Sequence, residues 1–383
     1  MDSALCLHNA TILSDFAILP HCAVLLQDNK IAAVYNEDEF RRRKFAAEVE
    51  LLDLQGAYLA PGLIDTHIHG MSGFSADRGD REQILGMSEA LSHLGVTSFI
   101  PTFCAALEAE MLSKITAVTQ AMGHETGARI LGMHLEGPFI SAAKIGAQPT
   151  DGVSPIDTAL FTRFWQASNG RIVNMTVAPE LDNIAELAAY CHDKGVVLQA
   201  GHTNATYEQI LNAKNLGILH ATHMFNAMRP LHHREPGMVG AVLIHPEISC
   251  EFIADGAHFH PDLLQLLLKC KPLRQLVMIT DAFYQAHTKL PANSDYYFDK
   301  CFRRRADDVI VGSGISLLDG VRNLIQWGVA PEIALAFASA NPARIMHQSA
   351  LGSIRPNYLA DLIVLDHNFN LLYTIINGKL RKE

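Results

Sequence analysis

Apolar and polar positions alternate in two styles along the 383-residue chain. Through the middle, short segments rich in Val and Ile end in polar residues. They are LAPGLIDTHIH (59–69), GVTSFIPT (95–102), RILGMHLEG (129–137), IVNMTVAPE (172–180), GVVLQAGHT (195–203), HATHMFN (220–226), ISCEFIADGAH (248–258) and LRQLVMITDA (273–282). Near-continuous apolar runs of this length, bounded by turn residues, read as strands buried on both faces of a parallel sheet. Between them lie segments such as AELAAYCHDKG (185–195) and YEQILNAKNLG (207–217), which have helical spacing and a terminal glycine. Eight strand–helix units in about 220 residues predict an α/β chain folded as a (β/α)8 barrel of the TIM type. An open doubly wound sheet would carry a glycine-rich phosphate turn after its first strand, and the sequence has none there.

The flanks follow the second style. ATILS, CAVLLQDNKIAAVY and ELLDLQGAYLA near the start, and LGSIRPNYLADLIVLDHNFNLLYTIINGKL near the end, alternate as antiparallel strands do, with polar turns between them. They predict one small β-sandwich built from both chain ends. The expected division is 1–58 and 350–383 for the small domain, with 59–349 for the barrel.

Composition narrows the classes of function. The chain is 49% hydrophobic and 18% charged, as a globular protein is, and its net charge of −10 disfavours nucleic acid as a partner. The basic run Arg303–Arg305 lacks aromatic interleaving, and Arg41–Lys44 reads as a solvated helix face. No apolar stretch approaches the length of a membrane span; Leu263–Leu268 is short and reads as a buried helix. The opening MDSALCLHNATILSD has no basic segment, which predicts no secretory signal. Seven scattered cysteines without a Cys-x-x-Cys pair fit a reducing cytoplasm. Histidine stands out, with nineteen along the chain.

Several of these histidines fall at the predicted strand ends. The first strand ends in His67 and His69, the third in Glu136, the fifth in His202, the sixth in His223 and the eighth in Asp281. Alternation along a strand sends His67 and His69 to one side, where two imidazoles can reach one cation together. In a barrel all these ends open onto the face where active sites are built. Singly, each side chain could serve as a cap or a loop contact. Six in equivalent positions predict a centre for Zn²⁺ or Fe²⁺, with Glu136 able to bridge two ions.

The constellation resembles the amidohydrolase superfamily. HLEGPF (134–139), APE (178–180), AGHTNAT (200–206), ATHMFNAM (221–228), REPGMVGA (234–241), IADGAHFHP (253–261), ITDA (279–282) and DGVRNL (319–324) resemble, in order, the signatures of its N-acetylglucosamine-6-phosphate deacetylases. The resemblance implies metal ligation by Glu136, His202 and His223, and a second ion on His67 and His69, giving one or two ions per chain. It implies Asp281 as the catalytic base and then acid. It implies sugar-phosphate contacts from Ala147, Gln148, Asn226, Ala227, His258, Val311 and Gly312, and from Arg234, which in this family can reach the neighbouring subunit of a homodimer. The bridging lysine found elsewhere in the superfamily is absent, because the fourth strand ends Ala178-Pro179-Glu180.

Two departures bear on the substrate. Gln148, in KIGAQP, stands where family members usually carry a histidine that helps to polarise the carbonyl; an amide donates a hydrogen bond but cannot become cationic. The segment after Asp281, FYQAHTKLPANSDYYFDKCFRRRADDVIVGSG, lacks the usual small residues, and His287 within it reads as a surface residue. The implied reaction is hydrolysis of the acetamide of an N-acetylhexosamine 6-phosphate. The alternatives are the galacto epimer, another N-acylated amine or a cyclic amide. A silent relative retained for binding would have lost ligands or the base, whereas all six positions are occupied.

Overall fold

The computed structural model describes residues 4–381. They group into two compact units, one of residues 66–90 and 99–316, the other of residues up to 65, 91–98 and from 317 onward.

The parallel strands appear where the pattern places them. They run Leu63–Ile68, Val96–Cys104, Met133–Glu136, Ile172–Val177, Val197–Ala200, His220–Ala221, Ser249–Ile253 and Leu276–Ile279, and they neighbour one another in that order. The Asp281 N–H donates to the His67 carbonyl at 2.9 Å and the His69 N–H to the Ala282 carbonyl at 3.3 Å, linking the end of the last strand to the end of the first. The sheet is therefore a nearly closed (β/α)8 barrel. Strands this short survive because both faces are covered: every residue of Ser249–Ile253 and Leu276–Ile279 is buried.

The intervening helices stop and start on the signals read from the sequence. Ile184–Lys194 ends at Gly195, whose φ of 72° takes the left-handed turn that a glycine adopts without strain. Tyr207–Asn215 opens on Thr206, whose side chain accepts from the Gln209 N–H while Gln209 reaches back to the cap. The expectation of a buried helix at Leu263–Leu268 is corrected. The helix Leu263–Cys270 buries Leu264 and Leu267, but Leu263 and Leu266 are each 38% exposed, because a helix seated on one neighbour hides only one stripe. Arg41 and Arg42 lie on the exposed helix Glu37–Arg42, as expected.

The other unit carries the small β domain as one hydrogen-bonded sheet. Its path runs Lys379–Arg381, Leu371–Ile376, Leu362–Leu365, Tyr58–Pro61, Leu5–Ser14, Ala17–Gln27 and Lys30–Asn36, with Glu50–Asp53 also pairing to Leu5–Ser14. Leu7, Val24, Ile31, Leu59, Leu362 and Val364 share its core, so both chain ends are needed to complete it.

Lys271 tests how this architecture tolerates a buried charge. Its ammonium donates to the carbonyls of Val242 at 2.8 Å and His245 at 2.6 Å, at the C-terminal end of the helix Gly237–Ile244. Lys271→Met keeps the apolar stem but leaves these acceptors unpaired; urea unfolding is expected to show a loss of about 1–3 kcal/mol.

Candidate metal centre

The six side chains singled out in the sequence come together at the C-terminal ends of the barrel strands. His67 lies in the first strand and Glu136 closes the third. His202, His223 and Asp281 each follow a strand by two residues, with φ of 44°, 28° and 47°. Left-handed backbone at a residue other than glycine costs about 1–2 kcal/mol. Here it turns the loops after the fifth, sixth and eighth strands sharply enough to aim their side chains into the barrel mouth. Hydrogen bonds hold the turns: Asp281 is fixed as described above, and the Met224 N–H donates to the Glu251 carbonyl at 2.7 Å.

Glu136 is the hub. Its Oε1 lies 3.0 Å from His223 Nε2, 3.1 Å from His202 Nε2 and 3.4 Å from His67 Nε2. Its Oε2 lies 3.1 Å from His69 Nε2 and accepts a 2.5 Å bond from the Gln148 amide. Asp281 Oδ1 stands 3.6 Å from His67 Nε2 and 3.4 Å from His69 Nε2. Two ligand-like groups result, Glu136–His202–His223 and His67–His69–Asp281, with Glu136 reaching both.

The donor set fits a divalent cation. The Lys144 carbonyl, 3.0 Å from His202 Nδ1, can only accept, so that nitrogen carries the hydrogen. In the neutral imidazole Nε2 then turns a lone pair toward a carboxylate oxygen and toward His223 Nε2, which is 3.1 Å away. Such an array is repulsive until a positive charge enters it. Tetrahedral ligands at Zn–N bond lengths stand about 3.3 Å apart, close to these spacings. Electrostatics point the same way. Burial opposes a charge on His67, yet Glu136, Asp281 and Glu251 outweigh it and raise its pKa to about 10. Burial also opposes ionisation of Asp281, and the charge of His67 with the hydrogen bond from His69 holds it far below the usual carboxylate range. Glu136 is likewise held low against its burial, first by His67 and then by His202.

A cavity of about 270 Å³ opens beside these groups. Its wall includes Ala147, Gln148, Asn226, Ala227, His258, Val311 and Gly312, all of them expected contacts. Gln148 is committed on both sides, donating to Glu136 and accepting from the Ala105 N–H at 2.8 Å. His258 is bonded to Asp255 Oδ2 at 2.6 Å, and that contact raises its pKa against burial. Val309 to Gly312 reach the cavity on a three-stranded antiparallel sheet, Tyr296–Asp299, Cys301–Arg304 and Ile310–Ser313. Phe283, two residues past Asp281, packs on Tyr296 and Phe302, with ring centroids 4.7 and 5.2 Å away. Arg234 does not line the cavity; it is exposed and bonded to His233 at 2.7 Å. His287 is exposed.

Five neighbours escaped the sequence reading. Glu251 is fully buried and lies 3.1 Å from His67 Nδ1; its signal was a charged residue inside an apolar strand. His134, in the strand of Glu136, bonds the Thr176 hydroxyl at 2.8 Å, and burial followed by the nearby charge of His67 holds its pKa well below the usual imidazole value. Asp77 and Cys104 flank His69 Nδ1 at 3.4 and 3.5 Å. Glu180, where the superfamily lysine is missing, accepts instead from the Thr203 hydroxyl at 2.5 Å and the Asn204 N–H at 2.6 Å, pinning the loop after His202.

The model of the amidohydrolase family matches residues 58–381. The chain belongs to this family. The amidohydrolase is 31% identical to the N-acetylglucosamine-6-phosphate deacetylase of Bacillus subtilis (strain 168), over 99% of this chain and 98% of that one. It is 31% identical to the N-acetylgalactosamine-6-phosphate deacetylase of Escherichia coli O157:H7, over 87% of this chain and 90% of the relative. A solved N-acetylglucosamine-6-phosphate deacetylase from Pasteurella multocida superposes with a TM-score of 0.90 at 26% identity, covering 99% of this chain and 100% of that one. The amidohydrolase is thus a hydrolase acting on an amide bond. Among the described residues no helix is long and apolar enough to cross a membrane.

Because the donor atoms are already gathered, cation binding should stabilise the folded chain directly. At a free ion concentration 100 times Kd the gain is about 2.7 kcal/mol. Scanning calorimetry of chelated and zinc-loaded protein should show that rise in Tm, and Glu136→Gln should abolish most of it.

Proposed function

We propose that the protein deacetylates an N-acetylhexosamine 6-phosphate, N-acetylglucosamine 6-phosphate foremost, releasing acetate and the amino sugar phosphate. The observation that supports the reading is the six-residue cluster beside a cavity lined by residues of the deacetylase-like motifs, Asn226, Ala227 and His258 among them.

Glu136, His202 and His223 would hold one divalent ion, Zn²⁺ or Fe²⁺, and His67 and His69 would hold a second, with Glu136 within reach of both. A cation here supplies a Lewis acid that makes hydroxide available near neutral pH and polarises the amide carbonyl. The chain's own residues do the rest. Asp281 is ionised, stands at the cavity edge, and takes the proton of the attacking water. It then returns that proton to the amine nitrogen, without which the C–N bond would have to expel an amide anion. Gln148 keeps Glu136 in place rather than touching the carbonyl. His258, whose pKa the Asp255 contact raises, and the polar edge of Asn226 suit a phosphorylated sugar. The Val309–Gly312 strand forms the opposite wall, and the φ of 148° at Gly312 brings its backbone close to the ligand space.

Arg234 serves the phosphate of a neighbouring protomer in a homodimer, which accounts for an exposed guanidinium in a deacetylase signature that misses its own cavity. The enzyme works in the cytoplasm, where its thiols stay reduced and sugar phosphates are found. The galacto epimer is the second reading, favoured by the equal identity to the N-acetylgalactosamine-6-phosphate deacetylase of Escherichia coli O157:H7.

Acetate release by the metal-loaded enzyme, measured on both epimers with and without the 6-phosphate, tests the assignment. Turnover confined to a phosphorylated N-acetylhexosamine supports it; turnover of neither phosphorylated epimer rejects it. Asp281→Asn should lower kcat by about 10²–10⁴ while metal stays bound. Arg234→Ala should raise KM for the phosphorylated sugar with little change in kcat, and light scattering should give a dimer.

A further inference from the structure

The two histidines of the His-x-His pair differ from the other cluster histidines in what stands behind them. His67 Nδ1 faces Glu251 Oε2 at 3.1 Å, and His69 Nδ1 faces Asp77 Oδ2 at 3.4 Å. His202 Nδ1 instead meets a neutral backbone carbonyl, that of Lys144. Both carboxylates are themselves anchored. Asp77 Oδ1 accepts from the buried Lys114 ammonium at 3.1 Å and from the Cys104 N–H at 2.8 Å. Glu251 is fully buried, and its Oε2 also accepts from the His223 N–H at 3.3 Å.

A carboxylate that accepts the Nδ1 hydrogen fixes the tautomer and the ring plane, and it leaves Nε2 as a more basic lone pair. In this structure both Nε2 atoms then point at Glu136 and Asp281. His69, Asp77 and Cys104 lie close enough together to suggest a separate cation site. The Lys114 ammonium already supplies a positive charge to Asp77, so the group reads as support for His69.

We infer that Asp77 and Glu251 are positioning residues that turn His67 and His69 into a second cation site, while the Glu136–His202–His223 site does not depend on Asp77. The inference rests on the two-cation reading above. Neither residue touches the substrate cavity's reacting atoms; each acts through the imidazole that it orients.

Equilibrium dialysis of the full chain against Co²⁺, with ions per chain counted by mass spectrometry and the visible Co²⁺ spectrum recorded, separates the two sites. Wild type should bind two ions. Asp77→Ala should weaken the second ion about 10–100-fold and leave the first within about threefold. Asp77→Asn, which keeps an acceptor oxygen, should fall between. Glu251→Gln should also weaken the second ion, and it carries the test if Asp77→Ala does not fold. Second-ion affinity unchanged in the folded variants would overturn the inference, as would equal weakening of both ions by Asp77→Ala. A wild-type chain that never takes more than one ion overturns the two-cation reading itself, a result distinguishable from either.

Discussion

The carboxylate of Glu136 has four imidazole nitrogens and one amide nitrogen within 3.4 Å, all at the buried mouth of a barrel. That crowding sets the terms for everything around it. A buried anion is stable only when paired, and the imidazoles that turn Nε2 lone pairs toward it can share a cation with it. The loops after three strands accept left-handed backbone to bring those partners in, and Gln148 is drawn into the same network. The barrel tolerates the arrangement because its strands, buried on both faces, supply a frame that holds the site residues at their ends.

The arrangement also divides labour among carboxylates. Glu136 faces both halves of the cluster, Asp281 faces the His-x-His pair and the cavity, and Glu251 and Asp77 sit behind the imidazoles. Neighbouring positive charge keeps each of them ionised against its burial. Asp77, pushed up by burial, is brought down to about 2 by its bond with His69 and the charge of Lys114. Glu251, also opposed by burial, is held down first by His67. One sequence therefore places an acid at the cavity, an acid between the two groups of imidazoles and two acids behind the imidazoles, and only position distinguishes them.

Much of this was legible before the coordinates. Strand ends are marked by the change from apolar to polar residues, and a barrel turns that one-dimensional signal into a three-dimensional ring; hence His67, His69, Glu136, His202, His223 and Asp281 could be gathered from positions more than two hundred apart. What lay one layer back was not legible. Asp77 belongs to a single 3₁₀ turn, Ala76–Arg78, after the first strand, and nothing in local spacing says that its carboxylate turns toward His69. Glu251 was hidden because the apolar run around it was read for its strand, not for its one charge. The helix at Leu263 failed for a related reason, since composition reports hydrophobicity but not which stripe finds a neighbour. The Tyr296–Ser313 sheet was legible only as a departure: its aromatic residues made sense once Phe283 was seen to pack on them.

Anomalous diffraction from crystals of the zinc-loaded enzyme, collected at the zinc edge, addresses the central claim most directly. The account predicts a strong peak bounded by Glu136, His202 and His223, with a second beside His67, His69 and Asp281. Zinc found elsewhere on the chain, with no peak between Glu136, His202 and His223, would contradict it.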